Sequence, residues 1–255
     1  MSATGADTIT IWIWRGTREA GGEQPYPVEL QPGMVVLDAV HYVQAHHAPD
    51  LAVRWNCKAA HCGSCGAEVN GRPRLLCKTR LDDYVRRGEE VHVRPMKTFP
   101  VVRDLVPDVS WNYRTARRIP AFAPRGTAPF RLWQRDVDRV QEFRRCIECF
   151  LCQDVCHVLR EHGLTDRYMG PRYLLKLAER AMSPVDQADR IPFVKHEGGV
   201  DWCNVTRCCS EVCPEGIEIT NNAIIPLKER VADRYWDPVR RLVRRARRRP
   251  DLDPA

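Results

Sequence analysis

The fold of this chain is indicated most clearly by Cys146-Ile-Glu-Cys149-Phe-Leu-Cys152-Gln-Asp-Val-Cys156. Its cysteines follow the C-x2-C-x2-C-x3-C spacing, in which three thiolates bind one cubane iron–sulfur cluster and the fourth binds a second cluster. A second run, Cys203-Asn-Val-Thr206-Arg-Cys208-Cys209-Ser-Glu-Val-Cys213-Pro214, has the same spacing except that Thr206 replaces the middle cysteine of the triplet. The two runs therefore predict two neighbouring clusters, one of them with an incomplete ligand set.

The fourth cysteine of each run is expected to bind the cluster of the other run. One site is then complete and predicts a [4Fe–4S] cluster bound by Cys146, Cys149, Cys152 and Cys213. The other site lacks a thiol at Thr206, and three thiolates favour a [3Fe–4S] cluster bound by Cys156, Cys203 and Cys209. Cys208 is a rival ligand there, but it adjoins Cys209 and breaks the spacing, so we interpret it as a buried free thiol.

A third set of cysteines lies in the N-terminal half of the chain. Cys57, Cys62 and Cys65 have the C-x4-C-x2-C spacing with Cys77 further on, which is the plant-type pattern for a [2Fe–2S] cluster. Zinc is the alternative for this quartet, although zinc sites usually pair two short motifs and Cys77 stands alone. His61 lies inside the loop without a second histidine, so we interpret it as a loop residue and not as a Rieske-type ligand.

The hydrophobic pattern predicts an α+β chain with a β-rich half followed by a helical half. Alternation over residues 8–15, the pair Gly21-Gly22 and the alternating residues 26–30 predict two strands joined by a turn, and Asn70-Gly71 predicts a second hairpin. Prolines between residues 96 and 130 predict a connector without regular elements, packed across the two domains or against a partner. Helices are expected before Cys146, over residues 171–181, and over residues 220–234, where Pro226 predicts a late start or a kink.

Composition indicates a folded metalloprotein of about two domains. The 255 residues include 12 cysteines, and the N-terminus has no expected signal peptide, so metal binding is favoured over disulfides. No apolar run is long enough to predict a membrane span. The net charge of +7 is concentrated near the C-terminus, where an arginine-rich tail predicts either a solvated end or contact with a membrane surface. Nucleic-acid binding is not expected, because no base-stacking aromatic pattern accompanies the arginines.

Taken in order, these three cysteine sets resemble the iron–sulfur subunit of succinate dehydrogenase and fumarate reductase. The resemblance spans residues 9–231, and Arg54-Trp-Asn-Cys57, Cys146-Ile-Glu-Cys149 and Pro95-Met-Lys-Thr-Phe-Pro-Val-Val-Arg-Asp-Leu are similar to that family as well. It implies a β-grasp plant-type [2Fe–2S] ferredoxin domain over residues 1–105, a connector over 106–132, an all-α bacterial-type ferredoxin domain over 133–238 and a basic tail over 239–255.

The family resemblance also implies a function and a set of partners. Electrons would pass from the FAD of a flavoprotein subunit through [2Fe–2S], [4Fe–4S] and [3Fe–4S] clusters to quinone at a membrane anchor, which in some members holds haem. The chain would lie at the cytoplasmic face of the bacterial plasma membrane as a peripheral subunit. No catalytic acid–base residue is expected on it, because succinate and fumarate interconvert on the flavoprotein.

The sequence departs from the family where the quinone is bound. In ubiquinone-reducing members a proline follows the cysteine matched by Cys156 and a histidine follows the one matched by Cys203; here these are His157 and Asn204. The departures favour menaquinone, and we assign His157, Asn204 and Thr206 as quinone-proximal residues. A quinol:fumarate reductase and an enzyme coupled to heterodisulfide reduction are the redox alternatives, and a zinc-stabilised nucleic-acid-binding protein is the third.

Overall fold

The computed structural model describes residues 8–239. The N-terminal residues on which the signal-peptide expectation depends, and nearly all of the predicted basic tail, lie outside the described residues. No helix in residues 8–239 is both long and apolar enough to cross a bilayer.

The first half is a five-stranded mixed sheet with two helices. Its elements are β1 (Thr8–Gly16), β2 (Gly21–Glu29), α1 (Val36–His46), β3 (Gly66–Val69), β4 (Arg72–Leu75), α2 (Asp82–Arg87) and β5 (Val91–Arg94). The strand order is β2-β1-β5-β3-β4, in which β1 pairs with β2 in antiparallel register and with β5 in parallel register. The alternating isoleucines place Ile11 and Ile13 on the buried face, against the apolar side of α1.

Two predicted turns have different outcomes. Asn70 and Gly71 connect β3 to β4, and both have positive φ angles, 49° and 73°, as a tight hairpin requires. The prediction that Gly21-Gly22 forms the first turn is wrong, because Gly21 pairs with Gly16 and Gly22 pairs with Arg15 in the β1–β2 ladder. The connection lies at residues 17–20, where Thr17 Oγ1 accepts a hydrogen bond from the N–H of Ala20 at 3.4 Å.

The segment rich in proline is more regular than its sequence indicates. It contains the short strands β6 (Val101–Arg103) and β7 (Val106–Pro107) and the helix α3 (Ser110–Arg118), so the prediction of no regular elements is wrong. The prolines lie outside α3, which leaves its backbone hydrogen bonds intact. Trp111 on α3 contacts both hydrophobic cores, whereas Phe122 and Phe130 are exposed.

The second half is built of short helices around the two cysteine runs. They are α4 (Gln134–Gln141) with a 3₁₀ turn at Glu142–Arg145, α5 (Leu151–Asp154), α6 (His157–Arg160), α7 (Pro171–Ala181), α8 (Ile191–His196), a 3₁₀ turn at Val200–Trp202, α9 (Cys208–Glu211), a π-helical turn at Ile219–Ile224 and α10 (Ile225–Tyr235). Pro226 falls in the first turn of α10, where a missing N–H costs no helical hydrogen bond. The expected late start is therefore observed, with a π-helical turn before it.

The two halves share an extensive interface. Residues 149–151 of the first cysteine run belong to the hydrophobic core of the sheet domain, although the run itself is part of the helical half. The α+β fold with two ferredoxin-type halves is confirmed.

Candidate iron–sulfur sites

The N-terminal quartet lies on the loop between α1 and β3 and just after β4. Cys65 and Cys77 are buried, whereas Cys57 and Cys62 are half-buried. The loop curls around Cys57 so that the N–H groups of Ala59 and His61 donate to its Sγ atom at 3.4 and 3.3 Å. Backbone donors aimed at a cysteine sulfur are a means of stabilising a thiolate that binds iron.

The thiols of this quartet interact with one another. Burial raises the pKa of Cys65 to about 12, and the nearby Cys77 and Cys62 add to this effect. The pKa of Cys62 is lowered to about 6, since hydrogen bonds involving Ser64 and Cys57 together outweigh its burial. A buried thiol that resists ionisation becomes an ordinary ligand once a cationic metal is beside it.

The first run surrounds a small cavity with four cysteines. Cys146, Cys149 and Cys152 line it from one side, and Cys213, which comes from the other run, lines it too. Burial raises the pKa of Cys152 well above the usual range of a thiol. The structure thus brings together the four residues that the exchange rule combines, while their role as ligands stays a prediction.

The backbone of the two runs repeats the same local conformation. Glu148 and Phe150, on either side of Cys149, have positive φ angles of 56° and 62°. Val205 and Arg207 have φ angles of 63° and 65° on either side of Thr206. Each of these bends then leads into a short helix, α5 in the first run and α9 in the second. Thr206 therefore occupies the backbone position that Cys149 has in the first run.

The second site brings Cys156, Cys203 and Cys209 together around a buried tyrosine. Cys156 and Cys209 are buried, Cys203 is half-buried, and Cys209 Sγ lies 3.1 Å from Thr220 Oγ1. Burial, together with the three neighbouring thiols, raises the pKa of Tyr168 well above its usual value. Among the described residues, its hydroxyl group has no hydrogen-bond partner. A buried O–H group without an acceptor is costly, so an iron–sulfur cluster fits this site by supplying one.

Cys208 differs from its expected state. Its side chain is half-buried, so the interpretation as a buried thiol is wrong, and its Sγ lies 3.3 Å from Thr206 Oγ1. In the repeat, Cys208 corresponds to Leu151, which packs against Gly66 of the sheet domain and does not line the four-cysteine cavity.

Two of the residues predicted to be quinone-proximal are in contact. The side-chain amide of Asn204 donates to Nε2 of His157 at 2.7 Å, at the surface beside the second site. Thr206 is exposed at the same surface.

In residues 8–239, no group of three or more His, Cys, Asp or Glu side chains is arranged to hold a single metal ion.

Two buried residues were missed by the sequence interpretation. Tyr168 precedes α7, and Arg172 is the second residue of that helix; both contribute polar atoms beside cysteines. In the sequence they look like ordinary polar residues near a helix start, and no spacing rule singles them out.

These features define a class, the two-domain iron–sulfur proteins in which a plant-type domain precedes a two-cluster helical domain. Residues 8–113 match the family of 2Fe-2S iron-sulfur cluster binding domains, and residues 142–217 match the 4Fe-4S dicluster domain family. The fumarate reductase iron–sulfur subunit of Mycobacterium tuberculosis is 32% identical over 203 residues, covering 76% of this chain and 80% of the relative. The chain belongs to the family of iron–sulfur electron-transfer subunits of succinate dehydrogenases and fumarate reductases.

A solved structure and a more distant relative extend this comparison. A chain of the Mycobacterium smegmatis Sdh1 complex in its apo form is 53% identical, with a TM-score of 0.89, and the alignment covers 92% of this chain and 100% of that chain. A component of the fumarate reductase (CoM/CoB) of Methanothermobacter marburgensis is 29% identical over 216 residues, which are 84% of this chain but only 42% of the relative. Family membership favours iron–sulfur binding over the zinc alternatives.

Proposed function

We propose that this chain is the electron-transfer subunit of a succinate:quinone oxidoreductase. It would receive electrons from an FAD-containing flavoprotein subunit and deliver them to quinone, with menaquinone favoured, at a membrane anchor. The clusters supply one-electron transfer, and the chain holds them by the three cysteine sets described above. We retain the domain boundaries at 105, 132 and 238 and the position at the cytoplasmic face of the plasma membrane as parts of this proposal.

The observation that carries the proposal is the arrangement of the three cysteine sets as neighbours in a fixed order. Gly63 in the N-terminal loop contacts the backbone of Cys149 in the first run. Cys152, which lines the same cavity, is close enough to Cys209 of the second site for the two thiols to interact electrostatically. The three sites therefore form a line from the sheet domain to the surface at His157. This arrangement suits a protein that transfers electrons.

The backbone repeat supports a three-iron cluster at the second site. Thr206 stands where the first run has Cys149, and a threonine hydroxyl is a poor substitute for a thiolate as an iron ligand. Cys208 stands where the first run has Leu151, which does not line the cavity of that run. We therefore keep Cys156, Cys203 and Cys209 as the proposed ligands of a [3Fe–4S] cluster.

The surface beside the second site supports a role in quinone chemistry. Histidine is a common proton carrier in proteins, and the Nε2 atom of His157 accepts a hydrogen bond from the side-chain amide of Asn204. Quinone reduction consumes protons as well as electrons, so this pair would suit a position next to the quinone. FAD and haem are proposed only for partner subunits.

Succinate oxidation is favoured over fumarate reduction by the similarity to the Sdh1 chain, which is 53% identical, whereas the fumarate reductase relative is 32% identical. A quinol:fumarate reductase would use the same three sites and is the second candidate. A heterodisulfide-linked enzyme is less favoured, since such an enzyme would more naturally keep a cysteine at position 206, where this chain has Thr206.

Electron paramagnetic resonance of the anaerobically purified protein tests the proposal. An oxidised three-iron signal should coexist, after reduction, with signals of a two-iron and a four-iron cluster. Two complete four-iron clusters, or a colourless zinc protein, would contradict it. Direction is tested separately by comparing succinate oxidation and fumarate reduction in the purified complex with a menaquinone analogue.

A further inference from the structure

A buried arginine faces the cavity formed by the first run. Arg172 is only 7% exposed, and it lines the cavity together with Cys146, Cys149, Cys152 and Cys213. It lies in the first turn of α7, whose N-terminal end adds a positive partial charge nearby. An arginine this deeply buried normally has every N–H group bound.

One donor of Arg172 is left without an acceptor. Its backbone N–H donates to Gln153 Oε1 at 3.2 Å, and its Nη2 atom forms an ion pair with Glu148. Its Nε–H group is fully buried and has no hydrogen-bond partner among the described residues. A buried, charged N–H group without an acceptor is energetically costly, so an acceptor is expected beside it.

The surroundings of the Arg172 Nε–H group indicate which kind of atom would accept its hydrogen bond. The cavity is lined by four thiols, and a cluster held there would present sulfur atoms with negative charge. Glu148 is half exposed, so solvent weakens its neutralisation of the guanidinium. Part of the positive charge of the Arg172 guanidinium is therefore not neutralised by Glu148, and it faces the four-cysteine cavity.

We propose that Arg172 sets the reduction potential of the [4Fe–4S] cluster by donating its Nε–H to a cluster sulfur or a ligand sulfur. The charge-assisted hydrogen bond favours the reduced cluster, which carries one more negative charge than the oxidised cluster. Arg172 is thus a positioning and tuning residue and not a ligand. The inference rests on the proposed four-iron site.

Replacing Arg172 should lower the midpoint potential of the four-iron cluster. We expect Arg172→Met to shift the reduction equilibrium about tenfold, which is about 59 mV for a one-electron couple. Arg172→Lys keeps the charge but lacks the rigid fork and should give a smaller shift. Glu148→Gln removes the carboxylate that opposes Arg172, so the potential should rise.

The measurement is a redox titration of the full-length, cluster-loaded protein, followed by electron paramagnetic resonance of the reduced four-iron signal. Lys176→Met is the matched control, since Lys176 lies one turn further along α7, binds Glu179 Oε2 at 2.7 Å and does not line the cavity. Its potential should equal that of the unmodified protein.

The outcomes distinguish the two proposals. An unchanged potential in an Arg172→Met protein with full iron content would overturn the role of Arg172. If that variant does not retain its cluster, Arg172→Lys decides: a lowered potential supports the inference, and an unchanged one overturns it. Absence of any four-iron signal in the unmodified protein would instead overturn the proposed function.

Discussion

Gly63 in the N-terminal cysteine loop lies directly against Cys149 of the first C-terminal run. A Cβ atom at position 63 would be 2.8 Å from the Cα atom of Cys149 and 2.9 Å from its Cβ atom. Gly63 also has a φ angle of 69°, which L-residues rarely adopt. The two loops that would hold neighbouring clusters therefore touch through backbone atoms, with no side chain between them.

Gly63→Ala should separate these loops. Conformational strain costs about 1–2 kcal/mol, and the clash with Cys149 adds to it. We expect weaker magnetic coupling between the reduced two-iron and four-iron clusters, measured by power saturation of the two-iron signal. Gly71→Ala is the control, because Gly71 has a similar φ angle of 73° but a Cβ atom there would meet nothing within 4 Å. Equal saturation behaviour of the two variants would contradict the role of the contact.

Thr206→Cys should convert the second site into a four-iron site. A thiol at this position would occupy the backbone place that Cys149 has in the first run, so the corner iron gains its ligand. The oxidised three-iron signal should disappear and the ratio of iron to protein should rise. Cys208→Ser should leave the unmodified spectrum as it is; loss of the three-iron signal in that variant would show that Cys208 is a ligand.

The exchanged cysteines should damage opposite clusters. Cys213→Ser removes a thiol from the cavity lined by Cys146, Cys149 and Cys152, and should impair the four-iron signal first. Cys156→Ser should impair the three-iron signal first, because Cys156 lies with Cys203 and Cys209. Magnetic resonance of both variants, normalised to their two-iron signal, is the measurement. The exchange would be refuted if Cys213→Ser impaired mainly the three-iron signal and Cys156→Ser impaired mainly the four-iron signal.

Arg160→Met should destabilise the junction between the two halves. Arg160 forms an ion pair with Glu68 of β3, and its Nη1 atom lies 3.7 Å from Asp154 Oδ2. Both carboxylates are buried, so removing the arginine leaves two uncompensated acidic groups. We expect a loss of about 3 kcal/mol in the free energy of unfolding, measured by urea denaturation under anaerobic conditions.

Lys97→Met is the control for the junction. Lys97 Nζ binds Glu161 Oε1 at 3.1 Å, but both side chains are about half exposed. An exposed ion pair contributes roughly 0–1 kcal/mol, so this variant should be nearly as stable as the unmodified protein. Similar losses in the two variants would mean that burial of Glu68 and Asp154 does not determine the cost.

Some local predictions failed for identifiable physical reasons. Gly21-Gly22 looked like a turn because glycine permits one, yet the register of β1 with β2 draws both residues into the ladder. The prediction missed α3 because it considered the prolines of residues 96–130 as a group. None of these prolines lies within Ser110–Arg118, so a helix can form there. Cys208 was expected to be buried because cysteine usually is, but the tertiary fold leaves its side chain only half-buried.

The sequence by itself determined the three cysteine sets, the order of the β-rich and helical halves, and the family. It could do so because most ligands of a cluster follow one another at short, fixed spacings, and because alternation and helical periodicity are local properties. Three relationships are visible only in the tertiary structure. Gly63 contacts Cys149, Arg160 forms an ion pair with Glu68, and Arg172 lines the cavity that contains Cys146. These contacts join residues far apart in the chain, and they exist because burying two apolar cores against each other brings distant side chains together.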